Sequence, residues 1–176
     1  MKTVAFTGHR AINGTYDGPL HVALRGELIE TVRRAADNGF SNFISGMALG
    51  FDMLAAEAVL ALKEQGYNIN LIAAIPFPSQ PNKWQDYQKR RYHSILNKIP
   101  ANLRFMVDAD PYAPHKLQKR NIWMIDRAQA VVAGWTGVKK GGTWNAIEYA
   151  INKGLPILVK HPTLYTEQWV RKQDIK

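Results

Sequence analysis

The chain has 176 residues, of which 46% are hydrophobic and 21% charged, and it contains no cysteine, so disulfides, thiol nucleophiles and cysteine-ligated metal sites are excluded. Lysine and arginine outnumber aspartate and glutamate by 23 to 14, and the net charge of +9 favours anionic partners such as nucleotides, nucleic acid or acidic lipid. No apolar run reaches the roughly 18 residues of a membrane span, and the first glycine turn comes too early for a signal-peptide core, so we expect a cytoplasmic protein with no membrane partner.

Short apolar runs alternate with helical segments along the chain. Strands are predicted at residues 3–7, 42–44, 69–75, 103–107, 130–135 and 156–159, and helices at residues 20–38, 51–65, 84–97, 115–127 and 144–153. Continuously apolar strands alternating with helices are typical of a buried parallel sheet. We therefore predict one α/β, Rossmann-like, doubly wound domain over residues 1–160, with a mostly parallel sheet of about six strands and helices on both faces. Residues 161–176 are predicted to form a tail that docks on this domain.

Glycine-rich and polar segments follow the first, second and fifth predicted strands. Because ligands of such sheets bind beyond the carboxyl ends of the strands, where the strand order reverses, these segments predict one shared ligand site. Their candidate ligand-binding residues are Gly8, His9, Arg10, Ser45, Gly46, Met47, Gly50, Asp52, Gly141, Gly142, Thr143 and Asn145. Further candidates are Pro76, Phe77 and Trp84 around the proline-rich loop after the third strand, and Asn121 and Asp126 on the fourth predicted helix.

The residue types at these positions suit an anionic ligand that carries a sugar. Arg10 can hold a phosphate or carboxylate with a two-pronged contact. Gly142 and Thr143 place free backbone N–H groups at a helix N-terminus, which favours anions. Asp52 is predicted in the first turn of a helix, where its carboxylate either accepts hydrogen bonds from sugar hydroxyls or caps the helix; the sequence leaves both roles open.

Several common motifs are absent from the sequence. There is no GxGxxG after the first strand, no GxxxxGK[ST] and no GxSxG, so the usual dinucleotide, P-loop and esterase signatures are missing. The five histidines show no close metal-ligand spacing. We therefore predict no metal site and no cofactor.

The same segments resemble the SLOG superfamily, which unites the DNA-processing protein DprA (also called Smf) with the LOG phosphoribohydrolases, and the resemblance is closest to the small stand-alone YpsA family. It is carried by Thr7-Gly8-His9-Arg10, by Ser45 to Asp52 with Ala55-Ala56-Glu57, by Pro76-Phe77 with Asn82-Lys83-Trp84, by Lys119-Arg120-Asn121 with Ile125-Asp126, and by Gly141-Gly142-Thr143. The resemblance implies a nucleotide or nucleotide-derived ligand at the carboxyl rim of the sheet. By analogy with SLOG relatives, it also implies a homo-oligomer.

Whether the chain is an enzyme stays open at this point. LOG enzymes carry a catalytic glutamate three residues after the threonine of their glycine motif, but here that position is Ala146, and Glu148 lies about 160° away around the helix. The candidate catalytic carboxylates are Asp52, Glu57 and Glu148. Three hypotheses follow: a sensor or sponge for a nucleotide-like small molecule, an N-glycoside hydrolase of LOG type, and DprA-like binding of single-stranded DNA.

Overall fold

The computed structural model describes residues 1–10 and 19–174, which form a seven-stranded sheet between two layers of helices. The strands are β1 (Lys2–Gly8), β2 (Phe40–Ser45), β3 (Asn70–Ile75), β4 (Arg104–Met106), β5 (Ala130–Gly134), β6 (Ile157–Lys160) and β7 (Glu167–Val170). The helices are α1 (Pro19–Asp37), α2 (Phe51–Glu64), α3 (Asp86–Asn97), α4 (Pro114–Asp126) and α5 (Gly141–Asn152). The sheet order is β4-β3-β2-β1-β5-β6-β7, and every neighbouring pair is parallel except β6 and β7. The predicted doubly wound α/β fold is confirmed.

Two separate apolar cores hold the helices against opposite faces of the sheet. One core joins α1, α2 and α3 to the sheet, and the other joins α4 and α5 to it. In α1, Leu24, Leu28 and Val32 recur every four residues, which places all three on one face of the helix, and all three are buried. The middle of β1 is buried on both faces, as its continuous apolar run predicts.

The chain changes direction in the sheet between β1 and β5. From β1 it moves outward through β2 and β3 to β4, then returns to place β5 on the other side of β1 and continues to β6. Such a reversal opens a crevice at the carboxyl ends of the two central strands. The crevice lies where Gly8 of β1 pairs with Gly134 of β5.

Three details differ from the sequence-based expectation. The sheet has seven strands rather than about six, because the predicted tail contains β7, whose Trp169 and Val170 pair with Leu158 and Ile157 of β6. The last two residues of that tail lie outside the described part of the chain. Helix α3 begins two residues after Trp84, and α5 begins three residues before its predicted start, so that its glycines form its first turn.

Phe51 packs against the ends of the two central strands. Its ring is fully buried and lies against both Gly8 and Gly134, where a Cβ atom on either glycine would overlap it. The Phe51 backbone N–H also donates to the carbonyl oxygen of His9 at 3.2 Å. The ends of β1 and β5 and the start of α2 are thereby packed into one unit.

We expect Gly134→Ala to lower the free energy of unfolding by about 1–3 kcal/mol, because the added methyl group must displace the Phe51 ring from a close-packed core. Urea denaturation measures the change. Gly26→Ala is the matched control, since a Cβ at that position in α1 meets no atom of the described chain within 4 Å. Equal stability of the two variants would contradict the tight packing of Phe51.

Candidate ligand-binding site

A pocket of about 240 Å³ lies at the carboxyl ends of β1 and β5, in the crevice at the reversal of strand order. Four segments supply its walls: the end of β1, the start of α2 with the loop before it, the middle of α4 and the first turn of α5. The lining residues are Thr7, Gly8, His9, Arg10, Ala48, Asp52, Leu117, Arg120, Asn121, Gly142 and Thr143.

His9 is held in place by backbone groups at the end of β5 and directly after it. Its own N–H donates to the carbonyl of Gly134 at 3.2 Å, and the Thr136 N–H donates to its imidazole Nε2 at 3.2 Å. Partial burial, and then the nearby charge of His161, lower the pKa of His9 below its ordinary value of 6.5. The lowered pKa favours the neutral imidazole, whose Nε2 accepts the Thr136 N–H.

The most buried charges of the pocket belong to Asp52 and Arg120, which are each only 4% exposed. Burial raises the pKa of Asp52 to about 6, and the Arg120 guanidinium, the Ala48 N–H and the Arg10 charge offset only part of this effect. Burial also lowers the pKa of Arg120, while the Asp52 carboxylate opposes that change. Each group thus reduces the cost of burying the other.

Gly46 leaves room for both of these side chains. A Cβ atom on Gly46 would overlap both the Arg120 guanidinium and the Asp52 carboxylate. The guanidinium donates to the carbonyl of Gly46 and, through Nε, to the Asn121 side chain at 3.0 Å. Glycine is therefore required at this position by the Arg120 and Asp52 side chains of the protein itself, and not by a ligand.

The first turn of α5 faces the same pocket. Gly141 has a φ of +85°, which turns the chain into the helix, and Gly142 and Thr143 line the pocket directly. No side chain caps this helix end, and its first turn contains no acidic residue. Its backbone N–H groups and the positive end of the helix dipole therefore suit an anion.

Comparisons with known proteins agree with this geometry. The model of the YspA SLOG family (YpsA) matches residues 4–155. The chain belongs to the YpsA SLOG family. One relative is the uncharacterized SPbeta prophage-derived protein YoqJ of Bacillus subtilis, which is 37% identical over 61% of this chain and 68% of YoqJ. Another is the UPF0398 protein BH1768 of Halalkalibacterium halodurans, which is 23% identical over 99% of this chain and 94% of that protein. The SLOG resemblance in the sequence is confirmed.

A solved structure extends the likeness to the wider SLOG fold. DNA processing protein A from Helicobacter pylori, described with a single-stranded DNA binding mode, superposes with a TM-score of 0.61 at 21% identity. The match covers 90% of this chain and 64% of that chain. At this identity the likeness concerns the fold alone.

Seven residues of the predicted site line the pocket of this SLOG chain: Gly8, His9, Arg10, Asp52, Asn121, Gly142 and Thr143. Three others shape the loop before α2 from outside it. The Ser45 hydroxyl donates to the Asp52 carbonyl at 2.8 Å and accepts the Met47 N–H at 3.1 Å. Met47 is buried at a φ of +54°, and Gly50 turns the chain at a φ of +85°. This loop therefore positions Asp52 through its own hydrogen bonds and turns.

The remaining predicted binding residues lie outside the pocket lining. Pro76 and Phe77 are buried, with the Phe77 ring edge-on to Tyr112, and Trp84 packs edge-on against Tyr92. Asn145 is exposed on α5, and exposed Asp126 accepts hydrogen bonds from Tyr149 and Lys153. Their binding roles stay predictions.

Two of the three candidate catalytic carboxylates also lie outside the lining. Glu57 forms a two-pronged ion pair with Arg91, at 2.6 and 2.9 Å, and Glu148 is exposed on α5. Asp52 is the candidate that lines the pocket. Among residues 1–10 and 19–174, no group of three or more metal-ligating side chains lies together, and no helix is long and apolar enough to cross a membrane.

Arg120 is the pocket residue that the sequence-based reasoning missed, although it lies in a segment quoted for the SLOG resemblance. The signal was present: Arg120 and Asn121 precede Met124 and Ile125 by four residues and therefore share the buried face of α4. A charged and an amide side chain on an apolar helix face require buried partners. Thr7, Ala48 and Leu117 were also not singled out.

Proposed function

We propose that this SLOG-family chain binds a nucleotide or nucleotide-derived anionic small molecule in the pocket between β1 and β5, as a sensor or sponge for that molecule. The observation that carries this proposal is the convergence of two arginines and an uncapped helix N-terminus on one concave site. Arg10 is exposed at the mouth, Arg120 is buried in the wall, and the first turn of α5 completes the site.

The charges around the pocket support an anionic ligand. Arg10 and Arg120 lie close enough that the charge of Arg10 lowers the pKa of Arg120. Asp52 offsets only one of these two positive charges, so the side chains leave an excess of positive charge beside the helix N-terminus. A phosphate group bound there would receive charge-assisted hydrogen bonds from an arginine and from backbone amides.

The size of the pocket supports a small ligand. Its volume of about 240 Å³ is slightly below the roughly 300–1,000 Å³ of typical small-molecule sites. A sugar phosphate or mononucleotide suits this volume better than an extended dinucleotide.

Hydrolysis of an N-glycosidic bond is the second candidate function. It requires a carboxylate near the anomeric carbon, and Asp52 is in the pocket with its pKa raised by burial to about 6. The exposed position of Glu148 favours binding without turnover. Release of free base from nucleoside monophosphates, followed by chromatography, distinguishes the two functions.

Binding of single-stranded DNA has weaker support from the side chains. Four aromatic residues lie near basic residues in the sequence and are the candidates for base stacking: Trp84, Tyr87, Tyr92 and Trp123. Tyr92 is buried, Trp84 packs on Tyr92, and Trp123 lies against Arg127 and Phe105, whereas Tyr87 is 47% exposed. Base stacking on single strands requires open aromatic faces. The predicted self-association and cytoplasmic location stay predictions.

We expect Arg10→Ala to weaken binding of a nucleoside monophosphate about tenfold to hundredfold, since it removes one charge-assisted contact. Isothermal titration with AMP, GMP, CMP, UMP and ADP-ribose measures the affinities at two salt concentrations. Arg90→Ala, an equal change at an exposed position on α3 outside the pocket, is expected to leave them unchanged.

Either of two results would contradict the proposal. One is equal weakening by Arg10→Ala and Arg90→Ala, which would indicate a general charge effect. The other is binding of a short single-stranded DNA alone, with an affinity that falls steeply as salt rises.

A further inference from the structure

Asp52 has an unused hydrogen-bonding capacity that faces the pocket. One carboxylate oxygen, Oδ2, accepts a long hydrogen bond of 3.4 Å from the Ala48 N–H. Within the described chain, the other oxygen accepts no hydrogen bond, and it is not among the fully enclosed atoms that lack a partner. Asp52 lines the pocket, so this oxygen is open to it.

The neighbouring donors are directed elsewhere. The Arg120 guanidinium donates to the Gly46 carbonyl and to the Asn121 side chain, and the Ser45 hydroxyl donates to the backbone carbonyl of Asp52. The charge of Arg120 therefore stabilises the carboxylate without occupying its open oxygen. A buried carboxylate with a free acceptor requires a donor from elsewhere.

Asp52 does not serve as a cap of α2. The residue before the helix is Gly50, no side chain caps the helix end, and the Asp52 carboxylate reaches back to Ala48. The two roles left open by the sequence are thus narrowed by the structure to the one that faces the pocket.

The pocket offers different chemistry at its other wall. The first turn of α5 presents backbone N–H groups, which donate and so suit the anionic part of a ligand. Asp52 can only accept while ionised, so it suits ligand hydroxyl groups and repels phosphate. A ligand that satisfies both walls carries an anionic group at one end and vicinal hydroxyls at the other.

We infer that Asp52 selects ribose over deoxyribose, by accepting hydrogen bonds from the sugar hydroxyls of a ligand whose phosphate lies at the first turn of α5. This inference rests on the proposed function and deepens it, because it names the sugar. It makes Asp52 a specificity-determining residue, and it predicts that ribonucleotides are preferred to deoxyribonucleotides whatever their base.

The test compares matched sugar pairs on the unmodified protein. Isothermal titration is carried out with ribose 5-phosphate and 2-deoxyribose 5-phosphate, and with AMP, GMP, CMP and UMP and their 2′-deoxy forms. We expect the ribose member of each binding pair to bind about tenfold to hundredfold more tightly, since each deoxy form lacks the C2 hydroxyl that donates to the charged carboxylate. This comparison needs no variant and so does not depend on the folding of one.

Asp52→Asn provides the second arm of the test. Its amide loses the charge, and the preference for ribose is expected to fall to less than threefold while binding of the deoxy forms is retained. Glu64→Gln is the matched control, since it makes the same chemical change at an exposed position of α2, and it is expected to keep the full preference.

The outcomes separate this inference from the proposed function. Equal binding of ribose and deoxyribose forms, or a preference for deoxyribose, overturns the role of Asp52 and leaves nucleotide binding standing. A preference for ribose that survives Asp52→Asn also overturns it. Failure of every probe to bind overturns the proposed function and this inference together.

Discussion

Arg120→Met is expected to lower the free energy of unfolding by about 3–5 kcal/mol at pH 7.5, because it removes the buried positive charge that offsets the Asp52 carboxylate. Arg120 and Asp52 are both 4% exposed, so water compensates for the loss of the guanidinium less well than it would at the surface. The Gly46 carbonyl also loses the hydrogen bond that Arg120 donates. Urea denaturation followed by circular dichroism measures the change.

A neighbouring surface cation is the matched control for this variant. Lys119 precedes Arg120 on α4, but its side chain is 57% exposed and pairs with Asp108 at 2.7 Å. Surface ion pairs contribute about 0–1 kcal/mol, so Lys119→Met is expected to have a small effect. The loss in Arg120→Met is also expected to be smaller at pH 5, where Asp52 is largely protonated. Equal losses of unfolding free energy in the two variants would show that Arg120 contributes no more to stability than a surface cation does.

The second large effect is a change in the pH dependence of stability in Asp52→Asn. Burial raises the pKa of Asp52 from an ordinary value of 3.8 to about 6, so the folded state holds this proton more tightly than the unfolded state does. As pH rises from 4 to 6, the unfolded state releases the proton first. The contribution of Asp52 to the free energy of unfolding therefore decreases by about 2 kcal/mol over this range, and by about 3 kcal/mol in all between pH 3 and pH 7.

Asparagine has no proton to release, so the difference between the two proteins isolates Asp52. We expect Asp52→Asn to gain about 2.4 kcal/mol of stability relative to the unmodified protein between pH 4 and pH 7.5. Urea denaturation of both proteins at half-unit pH intervals measures this difference, and Glu64→Gln again serves as the control. A difference that stays constant with pH, or that changes in the opposite direction, would contradict the raised pKa.

The order of strands and helices was predictable because its causes are local. Apolar runs, helical periodicity and the glycines that end helices all act within a few residues, and the six parallel strands followed from them. Strand β7 was not predictable in this way. Its four residues include three exposed side chains, and it becomes a strand only because β6 offers an unpaired edge.

Part of the site was predictable for a similar reason. Gly8, Arg10 and the first turn of α5 lie where strands end and helices begin, and the fold brings such positions together. The role of Arg120 was not predictable in this way, because its hydrogen-bond partner Gly46 lies 74 residues away in the sequence. Lys160 illustrates the same limit: it is 2% exposed on β6 and is neutralised by Glu27 and Glu167 from opposite ends of the chain.

The packing of Phe51 between Gly8 and Gly134 affects how a ligand would exchange with the pocket. Gly8 lines the pocket, and its position is already fixed by Phe51 and by its pairing with Gly134, so a ligand loses little free energy in ordering this part of the wall. Association with the pocket then needs no rearrangement of this part. Differences in affinity between ligands would then appear mainly as differences in residence time. On the proposed function, the protein would discriminate among similar molecules by how long it retains each of them.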